Sequence, residues 1–223
     1  MDRHVPEKVS QWLQVPLEQV KYKGKPVVLE GGAIDVNGKG TLITSEECLL
    51  DQKIQVRNPG FTKTDYEAIF KEYLGVTHTI WLGDGIKGDD THGHIDDLAR
   101  FVNENTIVTV VESDKKDANY GALQENLKRL ESAILEDGSK PRIVTLPMPK
   151  RIDFDGVVLP ASYANFLILN KAVLVPTFND SRDREALNIL ADVFPGREVI
   201  GISAIDLIWG FGTLHCLSQQ IPE

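Results

Sequence analysis

A strand–helix–strand pattern that returns at intervals of about 60 residues constrains this chain more than any single motif does. In the first passage, Thr64-Asp65-Tyr66-Glu67 matches a capping box, with Ala68, Ile69, Phe70, Tyr73 and Leu74 apolar at helical spacing and Gly75 as the stop. HTIWL, His78–Leu82, follows as a buried strand. The second passage opens on TIVTVV, Thr106–Val111, a strand by its β-branched content. An amphipathic helix over 120–135 comes next, with Leu123, Leu127, Leu130 and Leu135 near one face, and then the strand RIVTLP, Arg142–Pro147. In the third passage NFLILN and AVLVPTF flank a turn at Asn170-Lys171, a helix covers about 182–193, Pro195-Gly196 ends it, and EVIGIS, Glu198–Ser203, is the closing strand. These repeats predict an α/β fold of like units whose connecting loops converge on one site. A doubly wound α/β sheet alternates the same elements, so periodicity alone fits both.

The 223 residues are enough for one domain, 1–223, with a real core. A net charge of −9 argues against a nucleic-acid partner, which needs clustered Lys and Arg to displace counterions. It favours a small cationic ligand, because an acidic mouth concentrates cations. The polar start MDRHVPEKVS is not a secretory leader, and no apolar run has the length of a membrane span. The two cysteines, Cys48 and Cys216, lie far apart. A chain with so few is expected to be cytoplasmic with both thiols free.

Three glycine-rich loops interrupt the pattern: Leu29-Glu30-Gly31-Gly32-Ala33 at the end of a strand, the polar stretch 83–97, and Trp209-Gly210-Phe211-Gly212-Thr213-Leu214-His215-Cys216. Polar loops after buried strands are where sites gather. Gly83-x-Gly85-x-x-Gly88 satisfies a dinucleotide fingerprint. However, Asp84, Asp89 and Asp90 would face the pyrophosphate, and no apolar helix opens at Gly88. Thr91-His92-Gly93-His94-Ile95-Asp96-Asp97 nearly matches the zinc-binding run of metallo-β-lactamase-fold hydrolases, which is the alternative metal reading. Asp97 stands where that run ends in histidine, and no histidine occurs between His94 and His215. No metal or other cofactor is expected.

One chemistry uses all three loops. Cys216 is a nucleophile that needs a base or a depressed pKa, and His94 can exchange protons with it and with a leaving amine. Carboxylates such as Glu30, Asp90 and Asp96 around a thiolate would raise its pKa, unless the substrate itself is a cation. A guanidinium is planar, always charged and pairs bidentately with carboxylates. Bound at Asp96, it would present its central carbon to the sulfur.

At these residues the sequence resembles the agmatine deiminase and bacterial-type peptidyl-arginine deiminase family. The matching segments are LEGGAIDVNGKGTLITSEECLL, GHIDDLARFV, ASYANF, FPGREVIGI and GFGTLHCLSQQIP, in the family's order from about Val27 onward. The resemblance implies a pentein fold, a pseudo-fivefold α/β propeller of strand–helix units, of which this chain has about three of five. It implies that Cys216 attacks a guanidino carbon to give an amidino-thioether, with His94 as general acid and base and Asp96 on the guanidinium nitrogens. Glu30, Asp90 and His92 fall on substrate-binding positions. Agmatine would yield N-carbamoylputrescine and ammonia, with a peptidyl arginine or another guanidine as the alternative substrate.

The chain departs from the family pattern in two places. Asp90-Thr91-His92-Gly93-His94 stands where agmatine-specific members carry Glu-Thr-Asp-Gly-His, and Phe211-Gly212-Thr213 stands where they carry Gly-Gly-Asn. The family's N-terminal Arg-Asp-x-Gly-Pro motif, whose aspartate also clamps the guanidinium, has no counterpart. The expectation is an incomplete deiminase domain whose open strand edges call for an N-terminal partner segment or a second copy. A guanidine-binding fragment without activity is the remaining alternative.

Overall fold

The computed structural model describes residues 4–221. Helix α1 (Val5–Leu13) and a small hairpin of β1 (Lys21–Tyr22) and β2 (Lys25–Pro26) lead into three units of one design. The first holds β3 (Ile34–Val36), β4 (Thr41–Ser45), α2 (Glu46–Leu50), α3 (Lys63–Leu74) and β5 (His78–Leu82). The second holds β6 (Ala99–Asn103), β7 (Thr106–Val111), α4 (Tyr120–Ser132) and β8 (Arg142–Pro147). A hairpin of β9 (Ile152–Phe154) and β10 (Val157–Leu159) follows, and then the third unit: β11 (Leu167–Ile168), β12 (Ala172–Thr177), α5 (Asp183–Val193) and β13 (Glu198–Ser203).

In each unit the first two strands pair antiparallel and the third lies parallel to the second. A parallel neighbour needs a crossover, and the helix of each unit supplies it. The strands fall into separate three-stranded sheets, one per unit, so the single doubly wound sheet is ruled out. The α/β class and the three repeated units are as the sequence predicts. The middle strands begin at Thr41, Thr106 and Ala172, a period of about 65 residues that marks one repeated supersecondary unit.

The middle strands β4 and β7 are buried on both faces, while β12 buries Val173 and Val175 on one face and leaves Ala172 and Leu174 half-buried on the other; side-chain alternation explains how the units join. In β4, Leu42 turns to a cluster with Tyr66, Ile69 and Phe70 of α3, while its neighbour Ile43 joins the large core shared by the other two units. Tyr66 and Phe70 are fully buried, each worth roughly 1.5–3 kcal/mol on the scale for large apolar side chains.

The capping box of α3 lies two residues before the predicted one. Thr62 accepts from Asp65 N–H, and the Asp65 carboxylate accepts from Thr62 N–H at 2.9 Å. Aspartate therefore fills the position that sequence reading gave to Glu67, and Lys23 Nζ donates to Asp65 as well, at 2.6 Å. Gly75 ends the helix with φ 67°, as expected. Helix α4 stops at Ser132, and Leu135 is buried beyond it rather than on its face.

The repeat also places the site. The segment just before the first strand of each unit faces the same region: a 3₁₀ turn Gly31–Ala33 before β3, a 3₁₀ turn Ile95–Asp97 before β6, and the turn carrying Asn165 before β11. The loop after β13 closes over them. Arg100 of β6, only 4% exposed, ties the three segments together. Its Nε donates to Asp35 Oδ1 of β3 at 3.0 Å, and its Nη1 donates to the carbonyls of Ala164 and Phe166.

Candidate active site

The loop segments enclose a cavity of about 400 Å³ lined by Glu30, Gly32, Asp90, His94, Asp96 and Cys216, with Gln219 and Gln220 of the C-terminal segment at its side. Glu30 does not end a strand as the sequence suggested; an extended segment leads to it, and the 3₁₀ turn follows.

Asp96 is fully buried in its 3₁₀ turn. Its Oδ2 accepts from His215 Nδ1 at 2.7 Å and lies 3.4 Å from the Cys216 sulfur. Its Oδ1 is buried with no hydrogen-bond partner, and so is His94 Nε2. Burial opposes charge on Asp96, but the His215 hydrogen bond, with the charges of His94 and Arg100, outweighs it and keeps the carboxyl below its ordinary range. The adjacent Asp97 goes the other way, raised well above that range by burial and by the charges of Asp96 and Asp89. Two carboxyls side by side thus divide into an ionised one facing the cavity and one that holds its proton more tightly.

Cys216 is open to solvent on one side. Desolvation of its sulfur, then the Asp97 and Asp96 charges, push the thiol above its usual value, against the opposing hydrogen bond from Asn165. These surroundings favour the thiol form of Cys216. Cys48 is buried, and desolvation pushes its thiol up to about 12.

The loop holding His94 is fixed from below. Asp89 Oδ2 accepts from Gly93 N–H at 2.8 Å and His94 N–H at 3.1 Å, and the Ser45 hydroxyl donates to the Gly93 carbonyl. His92 sits at φ 62° within this loop. Its ring turns to Asp51, at 2.8 Å, and to Glu47, at 3.4 Å, and it is not among the cavity-lining residues. The structure thus brings together Cys216, His94, Asp96, Glu30 and Asp90, and leaves His92 to one side. Glu30 is engaged too: Arg57 Nε donates to its Oε1 at 2.9 Å, so part of its charge is already answered.

Gly32 is where a close approach demands glycine. A Cβ there would stand 2.5 Å from His94 Nδ1 and 3.1 Å from both Asp96 oxygens. Among the described residues, metal-ligand atoms approach one another in two sets, Glu30–Cys48–His94 and Asp96–Asp97–Cys216. Neither contains His92, so the donors needed by the zinc-hydrolase reading are not brought together. Among the described residues, no helix is long and apolar enough to cross a membrane.

Sequence reasoning missed Asp97, Asn165, His215 and Arg57. The signals for Asn165 and His215 were present in ASYANF and in the residue before the cysteine, but neither carries a chemistry of its own until the fold joins them.

Fold and cavity define a protein of repeated α/β units with a thiol, an imidazole and a carboxylate at one mouth. The profile of the Porphyromonas-type peptidyl-arginine deiminase family matches residues 1–222. A Lactococcus lactis protein provisionally named an agmatine deiminase is 38% identical over 225 residues, covering 93% of this chain and 61% of its own length. A Legionella pneumophila protein of the same provisional name is 37% identical over 206 residues, covering 92% and 59%. The agmatine deiminase of Enterococcus faecalis superposes with a TM-score of 0.91 at 33% identity, covering 100% of this chain and 64% of its own. A C. jejuni agmatine deiminase variant with substrate bound gives 0.85 at 35% identity, covering 96% and 61%. The chain belongs to the Porphyromonas-type peptidyl-arginine deiminase family. It spans about three fifths of the length of the relatives it matches.

Proposed function

We propose that this chain hydrolyses a guanidino group, with agmatine as the first candidate substrate. One observation carries the reading: Asp96 Oδ1 and His94 Nε2 are both buried and unpartnered at the cavity that the Cys216 sulfur faces. An unmade hydrogen bond in a buried group costs about 1–3 kcal/mol, so these atoms await a ligand. A guanidinium offers N–H groups to Asp96 and a leaving nitrogen to His94. Its charge also removes the obstacle at the sulfur, because a cation beside Asp96 offsets the carboxylates that hold the thiol protonated.

In this reading the thiol passes its proton to His94 as the cation binds, and the sulfur attacks the guanidino carbon to form a C–S bond. The C–N bond to one terminal nitrogen then breaks as His94 donates a proton, and ammonia leaves. Next, His94 takes a proton from water, which adds to the amidino carbon. The C–S bond breaks and returns the thiolate, the adduct's hydroxyl proton passes to solvent as the C=O forms, and a ureido product is left, N-carbamoylputrescine from agmatine. Asp90 is exposed at the cavity mouth, and in this reading it would meet the cationic tail. Arg57 competes for Glu30.

The test is an ammonia-release screen of the purified chain over agmatine, arginine and arginyl peptides. Release from agmatine supports the reading, release only from arginyl peptides moves the substrate to a peptidyl arginine, and release from none overturns turnover by this chain. One observation favours a second reading, guanidine binding without turnover: burial and the Asp97 and Asp96 charges hold the Cys216 thiol above its usual value. Calorimetric agmatine binding with no ammonia released would establish it.

A further inference from the structure

We propose that Asn165 is a catalytic residue, whose side-chain N–H group holds the Cys216 sulfur as the thiolate and aims it into the cavity. The proposal builds on the reading of Cys216 as nucleophile and names a group that this reading left out.

Asn165 lies in the segment before β11, the third unit's equivalent of the segments that supply Glu30 and Asp96. It is 1% exposed, and its amide makes hydrogen bonds on both sides. Oδ1 accepts from the Thr213 hydroxyl at 2.8 Å, from His215 N–H at 3.0 Å and from Cys216 N–H at 3.3 Å. Nδ2 donates to Asp97 Oδ1 at 3.0 Å and to Cys216 Sγ at 2.9 Å.

The direction of the amide is not arbitrary. Two backbone N–H groups and a hydroxyl converge on one end, so that end must be the oxygen. The NH₂ group is thereby forced towards the sulfur and Asp97. A backbone bond from His215 N–H to the Asn165 carbonyl, at 3.2 Å, pins the nucleophile loop to the same residue. Asn165 thus fixes the main chain at His215 and Cys216 and points a donor at the sulfur itself.

That donor distinguishes the two states of the thiol. An N–H bond to an anionic acceptor is roughly twice as strong as one to a neutral acceptor. The donor therefore favours the thiolate over the thiol. The charged and titratable groups around the sulfur are Asp96 and Asp97 from the 3₁₀ turn, with His215 and His94 beside Asp96. Both carboxyls oppose ionisation of Cys216, and Asn165 is the hydrogen bond that favours it.

The test reads the sulfur directly. Alkylation of Cys216 by iodoacetamide, followed by peptide mass spectrometry as a function of pH, gives the thiol's apparent pKa without any turnover. In Asn165→Ala that pKa is expected to rise by about one unit, with a roughly tenfold loss of alkylation rate at neutral pH. A folded Asn165→Ala chain with an unchanged alkylation profile overturns the proposal. The unmutated chain supplies a second measurement, in case that variant does not fold. The Asn165 side-chain amide proton should shift in NMR with the same apparent pKa as the alkylation, and the shift should vanish in Cys216→Ala. A shift that is absent, or that persists in Cys216→Ala, overturns the proposal. If the nucleophile reading fails instead, ammonia release will be missing while the alkylation profile still depends on Asn165.

Discussion

Asp96→Asn is expected to move two rates in opposite directions. The carboxylate lies 3.4 Å from the Cys216 sulfur. A unit charge at that range interacts with a thiolate by about 5 kcal/mol at an effective dielectric of 20 and by about 1 kcal/mol in water. The site opens to solvent on one side, which places the effect near the lower end. Removing the charge should lower the thiol pKa by about one unit, and neutral iodoacetamide should then alkylate Cys216 roughly tenfold faster at pH 7.5. The same change removes the buried anion that pairs with a guanidinium, an interaction whose loss typically costs about 2–5 kcal/mol. kcat/KM for agmatine should therefore fall by about a hundredfold or more. Alkylation is followed by peptide mass spectrometry and turnover by coupled ammonia detection. If alkylation slows along with turnover, Asp96 is not the restraint on the thiol, and the substrate-assisted ionisation argued above is wrong.

Cys216→Ala should abolish both turnover and covalent labelling by a haloacetamidine, while Cys48, buried and with its thiol held near 12, should stay unlabelled at neutral pH in the native chain; mass spectrometry of the labelled peptide decides. Gly32→Ala should lower kcat/KM by about a hundredfold with the chain still folded, because the new methyl stands 2.5 Å from His94 Nδ1 and displaces it. Arg100→Ala should cost about 3–5 kcal/mol by chemical denaturation, since it removes the charge partner of Asp35 and leaves two carbonyls unmet at the junction of the three units. Elemental analysis should find no stoichiometric zinc, and chelators should leave activity unchanged; zinc that is lost in His92→Ala would revive the metal reading.

The strands with β-branched runs, β5, β7, β8 and β13, were legible to the residue, because continuous apolar runs leave little choice of boundary. The short strands β3, β6 and β11 were not all visible, since pairing with a neighbour rather than composition defines them. The α3 cap was misplaced because Thr62 and Thr64 both suit an N-cap, and the choice depends on which carboxylate reaches back. At the site, Cys216, His94 and Asp96 were readable as reactive types in glycine-rich loops. Their partners were not. Arg57 is 27 residues from Glu30, and Asn165 is 51 residues from Cys216; both are joined to them only by the fold. His92 fell on a substrate-binding position through the family resemblance alone, and Asp51 and Glu47 draw its ring away from the cavity.

In the proposed reaction the Cys216 sulfur bonds to the guanidino carbon of the substrate. Acid quenching of the chain during agmatine turnover, followed by peptide mass spectrometry, tests it most directly. An adduct with the mass of agmatine less ammonia is expected on the peptide that carries Cys216, absent from Cys216→Ala. Turnover that persists in Cys216→Ala, or an adduct on any other residue, would contradict it.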